Sequence, residues 1–289
     1  MASLTGVTVA DLTRYLPGPF ASRELLRLGA RVVKIELPGG DPMRAAAPGW
    51  YAELNRDKEI VAWDARNEAA PDVLQTADVV LEGFRPGVFE RLNVALKDTT
   101  VLCSITSFGA HGPRAQQAGH DLNYEGYAGL LADTAPAVPP VQIADLAAGG
   151  QTAVIEILAA LLAGGGARIV VSMTHSSHRF AAHRLAGDPS PRLLTGGAAC
   201  YRIYETADAR FLTVAALEPK FWHRLCELIN RTDLVERAFE PELPELDALF
   251  RTLADWLALL ENEETCVGPV LTLSEAAEEF DPQPHREHA

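Results

Sequence analysis

Cysteine is scarce and scattered: the 289 residues hold four, Cys103, Cys200, Cys226 and Cys266, with no CxxC pair and no metal-finger spacing. That pattern excludes a disulfide framework and a zinc ribbon, and points to buried thiols in a reducing compartment. Basic charge is in deficit as well. Thirty-nine Asp and Glu against twenty-five Lys and Arg give a net charge of −14. Such a chain repels polyanions at long range, which argues against nucleic acid as a partner, yet a small anionic ligand can still bind where basic side chains converge. Long apolar runs are missing. The best, Val154 to Leu162, is short and interrupted by Glu156, so no membrane span is expected. The N-terminal MASLTGVTVADLTRYL lacks the basic start, apolar stretch and cleavage site of a signal peptide, and a cytoplasmic protein is expected. With 48% hydrophobic and 22% charged residues the chain is not disordered, and its length suits one large domain or two small ones.

What is there begins with alternation. VTVADL (7–12) reads as a strand, PGPFASRELLRLGA as a helix with Pro19 in its first turn and Gly29 as its stop, and RVVKIEL as a second buried strand, a βαβ unit. Its first turn is TRYLPGPF rather than GxGxxG, so the glycine spacing that admits a pyrophosphate is absent. Strands follow at Ile60 to Trp63, Val79 to Glu82 and Val101 to Ile105, with a short helix at Ala69 to Gln75. Together they predict an α/β, Rossmann-like domain with a mostly parallel sheet. The connecting turns carry Lys34, Arg44, Arg56, Lys58 and Arg85. Any one of them is a solvated loop cation unless a subset converges at the carboxyl ends of the strands, where open sheets bind ligands.

The most informative stretch is Gly119 to Gly150, GHDLNYEGYAGLLADTAPAVPPVQIADLAAGG. Pro136, Pro139 and Pro140 forbid a continuous helix, so His120 at one end and Asp145 at the other can fold back towards each other. An imidazole and a carboxylate facing one space suit proton transfer or acyl attack. The plain alternative for Asp145 is an N-cap, since a helical pattern from about Leu146 to Ala163 follows it. ARIVVSM (167–173) reads as a further strand. THSSHRFAAHRLAGDPSPR then reads as a linker, whose His175, His178 and His183 lack a carboxylate or cysteine to complete a metal site. The expected layout is a large domain over 1–175, a linker over 176–193, a small α+β domain over 194–278 and a tail over 279–289. In the small domain strands are expected at Tyr201 to Tyr204 and Phe211 to Ala215, with helices near Lys220 to Asn230 and Leu246 to Leu260.

These segments resemble the family III CoA-transferases, the group that includes carnitine-CoA transferases, formyl-CoA transferase and α-methylacyl-CoA racemase. The likeness covers most of the chain. It rests on ADLTRYLPGPFASRELLRLGARVVKIELPGGDPMR, NRDKEIVAWDAR, ADVVLEGFRPGVFERL, SFGAHGPR, VQIADLAAGG and LTGGAACYRIYETADARFLTVAALEPKFW, in that order. GHDLNY is similar to the segment in which racemases place a catalytic His, and typical transferases of the family lack that His. The resemblance therefore implies His120 and Asp145 as a catalytic pair, with Asp121 and Glu218 as supporting carboxylates. In a racemase the pair would remove the proton α to a thioester on one face and return one on the other, with amides at the start of the helix after Asp145 as donors to the enolate. In a transferase Asp145 would instead attack the thioester and form a mixed anhydride.

For the CoA moiety the resemblance points to Lys34 and Arg85, with Arg56 and Lys58 as further candidates, and it implies no other cofactor and no metal. It also implies an acyl-CoA ligand and a homodimer, interlocked in relatives. The stretch after Met173 is shorter than the family pattern, and the chain stops soon after CVGPVLTLSEAAEEF. Those departures bear on interlocking and remove the region of the transferases' glycine-rich loop, and they keep a truncated, non-catalytic acyl-CoA-binding homologue as a third reading.

Overall fold

Alternation of buried β-branched runs with amphipathic helices produces a parallel sheet in the first of two units, Met1–Ala186 and Gly187–Ala289. The computed structural model describes residues 3–187, 192–241, 243, 246 and 251–280. The first unit runs β1 (Thr8–Asp11), α1 (Pro17–Arg27), β2 (Arg31–Glu36), α2 (Met43–Ala46), α3 (Pro48–Asn55), β3 (Glu59–Ala62), α4 (Asp72–Thr76), β4 (Val79–Glu82), α5 (Val88–Arg91), β5 (Val101–Thr106) and α6 (Asp121–Ala128). A π-helical segment, Ala144–Gln151, then leads without a break into α7 (Thr152–Leu162), followed by β6 (Arg168–Ser172) and α8 (Met173–Ala181).

The six strands are all parallel, in the order β3-β2-β1-β4-β5-β6. Successive strand residues enter opposite faces. Val9, Val32, Val79 and Leu81 join Leu25 and Ile157 on one side, while Ala10, Val33, Val80 and Leu102 join Leu74 and Phe89 on the other. Because the chain leaves β1 first towards β2 and later returns to β4 on its other side, the crevice at the carboxyl ends of β1 and β4 is the switch point where such sheets hold ligands.

Two expectations change here. The helix after the proline loop starts at Ala144 and reaches Leu162, nineteen residues that are long and apolar enough by length and composition to cross a membrane. Its Ala153, Val154 and Ile157 are buried, and Val154 and Ile157 pack into the sheet core. The helix expected from about Leu146 to Ala163 is thus found; what the nine-residue apolar run understated is its apolar length, which the small residues of ADLAAGGQ extend. The supposed linker is also helical: Ser172 caps α8 by accepting the His175 N–H, α8 packs on α6 and the π-helical segment, and a 3₁₀ turn continues through Ala182–Ala186. Its inward residues include Ser176 and Ser177, so the buried face did not stand out as apolar.

The second unit forms an antiparallel sheet, β7 (Tyr201–Glu205), β8 (Phe211–Ala215) and β9 (Val267–Pro269), in that order. With it are α9 (Pro219–Leu228), α10 (Leu253–Leu260) and α11 (Leu273–Glu279). Trp222 is buried in its core beside Leu225, Cys226 and Leu234, and donates its indole N–H to Leu234 O at 3.0 Å. Of the helix expected over 246–260, residues 247–250 lie outside the described residues; so do 281–289 of the expected tail. Three cysteines are buried and Cys266 is exposed, all as free thiols. Burial pushes the Cys103 thiol up to about 12, so it is inert.

Candidate active site

The turn after β1 is built on buried charge. Asp11 ends the strand with no exposure, and its Oδ1 accepts the Thr13 N–H at 2.9 Å. The hydroxyls of Thr13 and Ser22 also donate to it. Burial alone would raise this carboxyl, but Lys34 and Lys58, with those hydroxyls, hold it below the usual range. Lys58 Nζ lies 3.5 Å from Asp11 Oδ2 and donates to Pro19 O, Ser22 Oγ and Asn55 Oδ1. Lys34 Nζ donates to Thr13 O at 3.0 Å and to Asp41 Oδ2 at 3.1 Å. Both lysine side chains have zero exposure. Expected as CoA cations, they are instead internal struts, with their charges spent on Asp11 and Asp41. Gly18 completes the turn, since a Cβ there would meet the Thr13 side chain at 2.1 Å.

Above this floor opens a cleft of about 530 Å³. Thr13, Arg14 and Tyr15 border it from β1, Gly83 and Arg85 from β4, Ser107 from β5, His120 and Tyr124 from around α6, and Asp145 from the π-helical segment. His120 is the N-cap residue of α6; its N–H donates to Asn123 Oδ1 at 3.0 Å, and its ring meets Tyr15 edge-on with centroids 6.5 Å apart. The Tyr124 hydroxyl bonds Ser107 Oγ and Gly119 O, which fixes the approach to His120. Asp145 is placed by close packing: a Cβ at Gly150 would come within 2.7 Å of the Phe20 ring and 3.0 Å of Pro17 O, so only glycine lets the segment lie this close to α1.

The expected pair, His120 and Asp145, thus shares one cleft. Asp121 joins them, its Oδ1 accepting the Asp145 N–H at 2.8 Å. Burial pushes the Asp145 carboxyl up to about 7, and the neighbouring Asp121 and Glu125 add to the shift. Glu125 was not anticipated. It stands four residues after Asp121 on the same helix face, the one signal in DLNYEGYA that could have found it. Its own carboxyl is raised, first by burial and then by Asp121. Of the amides after Asp145 that were expected as oxyanion donors, Leu146 N–H is taken by Gln142 O at 2.9 Å, and the Asp145 N–H before it by Asp121. Glu218 belongs to the second unit, at the N-cap of α9, whereas His120, Asp121 and Asp145 belong to the first.

Among the basic candidates, Arg85 is exposed on the cleft border with no ion pair among the described residues. Arg14 also borders the cleft, a cation not singled out in the sequence although it lies in the turn that follows β1. Arg56 is exposed, does not border the cleft and bonds Glu53 at 2.6 Å. No group of three or more His, Cys, Asp or Glu side chains among the described residues is arranged to hold a metal ion.

The sequence pattern of CoA-transferase family III matches residues 4–287. The chain belongs to this family. Human alpha-methylacyl-CoA racemase is 30% identical over 310 residues, covering 94% of this chain and 79% of the human protein. At the same 30% identity stands acetyl-CoA:oxalate CoA-transferase of Acetobacter aceti, over 94% of this chain and 82% of that protein. Among solved structures, the M. tuberculosis protein Rv3272 superposes with a TM-score of 0.81 at 29% identity, over 96% of this chain and 85% of that one. The family therefore places the chain among racemase and CoA-transferase enzymes, with both reactions equally near by identity.

Proposed function

We propose that this family III enzyme epimerises 2-methyl-branched or similar acyl-CoA thioesters by removing the α-proton on one face and returning a proton on the other. The supporting observation is the pairing of His120 with an Asp145 carboxyl raised to about 7 in one cleft. A carboxyl poised there exchanges protons near neutral pH, whereas an ordinary carboxylate is a poor acid at that pH. One of the two takes the α-proton, the C–H electron pair passes into the enolate, and the other delivers a proton to the opposite face. Asp121 holds the Asp145 backbone. The reaction needs nothing beyond the CoA moiety of the substrate, whose phosphates Arg85 and Arg14 would meet at the border of the cleft. The reading includes a homodimer, which light scattering tests.

Incubation of one 2-methylacyl-CoA epimer in heavy water should give α-deuterium uptake and the second epimer. No uptake, with CoA binding intact, overturns the proposal. The second reading is a CoA-transferase, favoured by the exposure of Asp145 to the cleft, from which its carboxylate could attack a thioester. That enzyme would exchange acyl groups only with a second carboxylic acid present, and hydroxylamine would trap the anhydride at Asp145.

A further inference from the structure

Three carboxylates meet at the start of the π-helical segment, and the site accounts for two of them. Asp145 faces the cleft and Asp121 binds its N–H. Glu125 does neither. It is 1% exposed, and its Oε1 is buried without a hydrogen-bond partner. It has no ion pair among the described residues, and no metal-ligating cluster includes it. An ionised carboxylate in that position is costly, and two neighbouring carboxyl groups share a hydrogen bond only when one of them keeps its proton.

We propose that Glu125 is a positioning residue: as a neutral carboxylic acid it donates its O–H to Asp121, and the pair together holds Asp145 for proton exchange. The arrangement accounts for the orphaned oxygen, which needs an acceptor for its proton rather than a donor. It also accounts for Asp121 lying beside Glu125 while bonding the Asp145 amide. Burial and Asp121 both favour the protonated form of Glu125, against the Ile143 and Ala144 amides.

The elements packed on the π-helical segment bring little else that titrates. Arg23, Glu24 and Arg27 of α1 pair with one another and with Glu53. On α8, His175 bonds Ser172, His178 bonds Ala128 O, and Arg179 is exposed. Glu156 of α7 and Arg168 of β6 are exposed, Cys103 of β5 is inert, and α6 adds Tyr124 and its N-cap His120. Among the described residues, the charged groups that add to the effect of burial on Asp145 are Asp121 and Glu125.

The role in turnover rests on the epimerase reading; the protonation state does not. Carboxyl carbons of the substrate-free protein, labelled at Asp and Glu and followed by carbon NMR against pH, should show Glu125 and Asp145 titrating as a coupled pair near neutrality. In Glu125→Gln, whose amide still donates to Asp121 but cannot ionise, Asp145 should titrate in one step, about one pH unit lower. The acid limb of the pH–rate profile should move with it. Turnover should survive in Glu125→Gln and fall about 10²-fold in Glu125→Leu, which loses the donor. A Glu125 carboxyl titrating in the ordinary range near ~4.3, or an Asp145 midpoint unmoved in Glu125→Gln, overturns the proposal. If the Glu125 variants do not fold, the infrared band of a protonated carboxylic acid should still persist at pH 6 in Asp145→Asn, and its absence there is equally fatal. Failure of α-deuterium uptake would end the epimerase reading and leave these titrations standing.

Discussion

Two groups of buried charge sit at the same end of one sheet, and they are built on opposite plans. In the first, Asp11 and Asp41 face Lys34 and Lys58, two negative against two positive, all with zero side-chain exposure for the lysines and their partners. Lys58 donates to three oxygens and Lys34 to two, and the result is a rigid floor under the β1 turn. In the second, Asp121, Glu125 and Asp145 stand together with no ion pair to a cation among the described residues, and burial, reinforced by the neighbouring carboxylates, makes Glu125 and Asp145 hold their protons more tightly. Compensated charge fixes a shape. Uncompensated charge of one sign stores proton affinity, which a proton-transferring site needs and a scaffold does not.

The contrast can be broken most severely at Asp145. Asp145→Asn should lower α-proton exchange by about 10²–10⁴-fold, read as deuterium uptake in heavy water. Next comes the compensated group: Lys58→Met removes a cation from beside Asp11 and should destabilise the protein by about 3–5 kcal/mol in urea unfolding, with the cleft lost alongside the fold. An effect of similar size separates the two plans by sign. Because the folded protein holds the Asp145 proton more tightly than the unfolded chain, ionising it costs stability. That cost is absent below the unfolded value of 3.8 and is complete once pH has risen past about 7. Asp145→Asn should therefore be more stable than the native protein by about 4 kcal/mol at pH 8, converging with it near pH 4. The inactive variant would be the sturdier one, the reverse of Lys58→Met.

At the cleft border the effects shrink further. Arg85→Gln should raise KM for acyl-CoA about tenfold, with kcat little changed, if it binds phosphate in ground and transition states alike. Arg56→Gln should change neither constant, and its exposed pair with Glu53 is worth less than ~1 kcal/mol of stability.

The sheet was legible because its strands are short β-branched runs between helices of clear period, and the proline-rich loop placed His120 and Asp145 within reach of one another. Burial was not legible. Nothing in ARVVKIEL or NRDKEIVAW says that Lys34 and Lys58 point inward, because the partners that make this tolerable, Asp41 and Asp11, are set by the fold and not by spacing. Glu125 escaped for the same reason: a glutamate in a polar helical turn reads as solvated until the segment from Ile143 onwards closes over it. The helix α8 was hidden by its serines, which occupy buried positions where apolar residues would have announced a packed face.

The π-helical turn between Ala144 and Gln151 acts as a phase shifter. The direction of α7 is dictated by the sheet that Val154 and Ile157 must meet, while the direction of Asp145 is dictated by the cleft. In an uninterrupted α-helix those two directions would be locked together at about 100° per residue. The wider turn releases them, at the start of the helix where only glycine fits against α1. Deleting one residue within AAGG would restore the α-helical phase, keep α7 on the sheet and rotate Asp145 away from His120. Circular dichroism kept native with α-deuterium uptake lost is the outcome expected of that deletion.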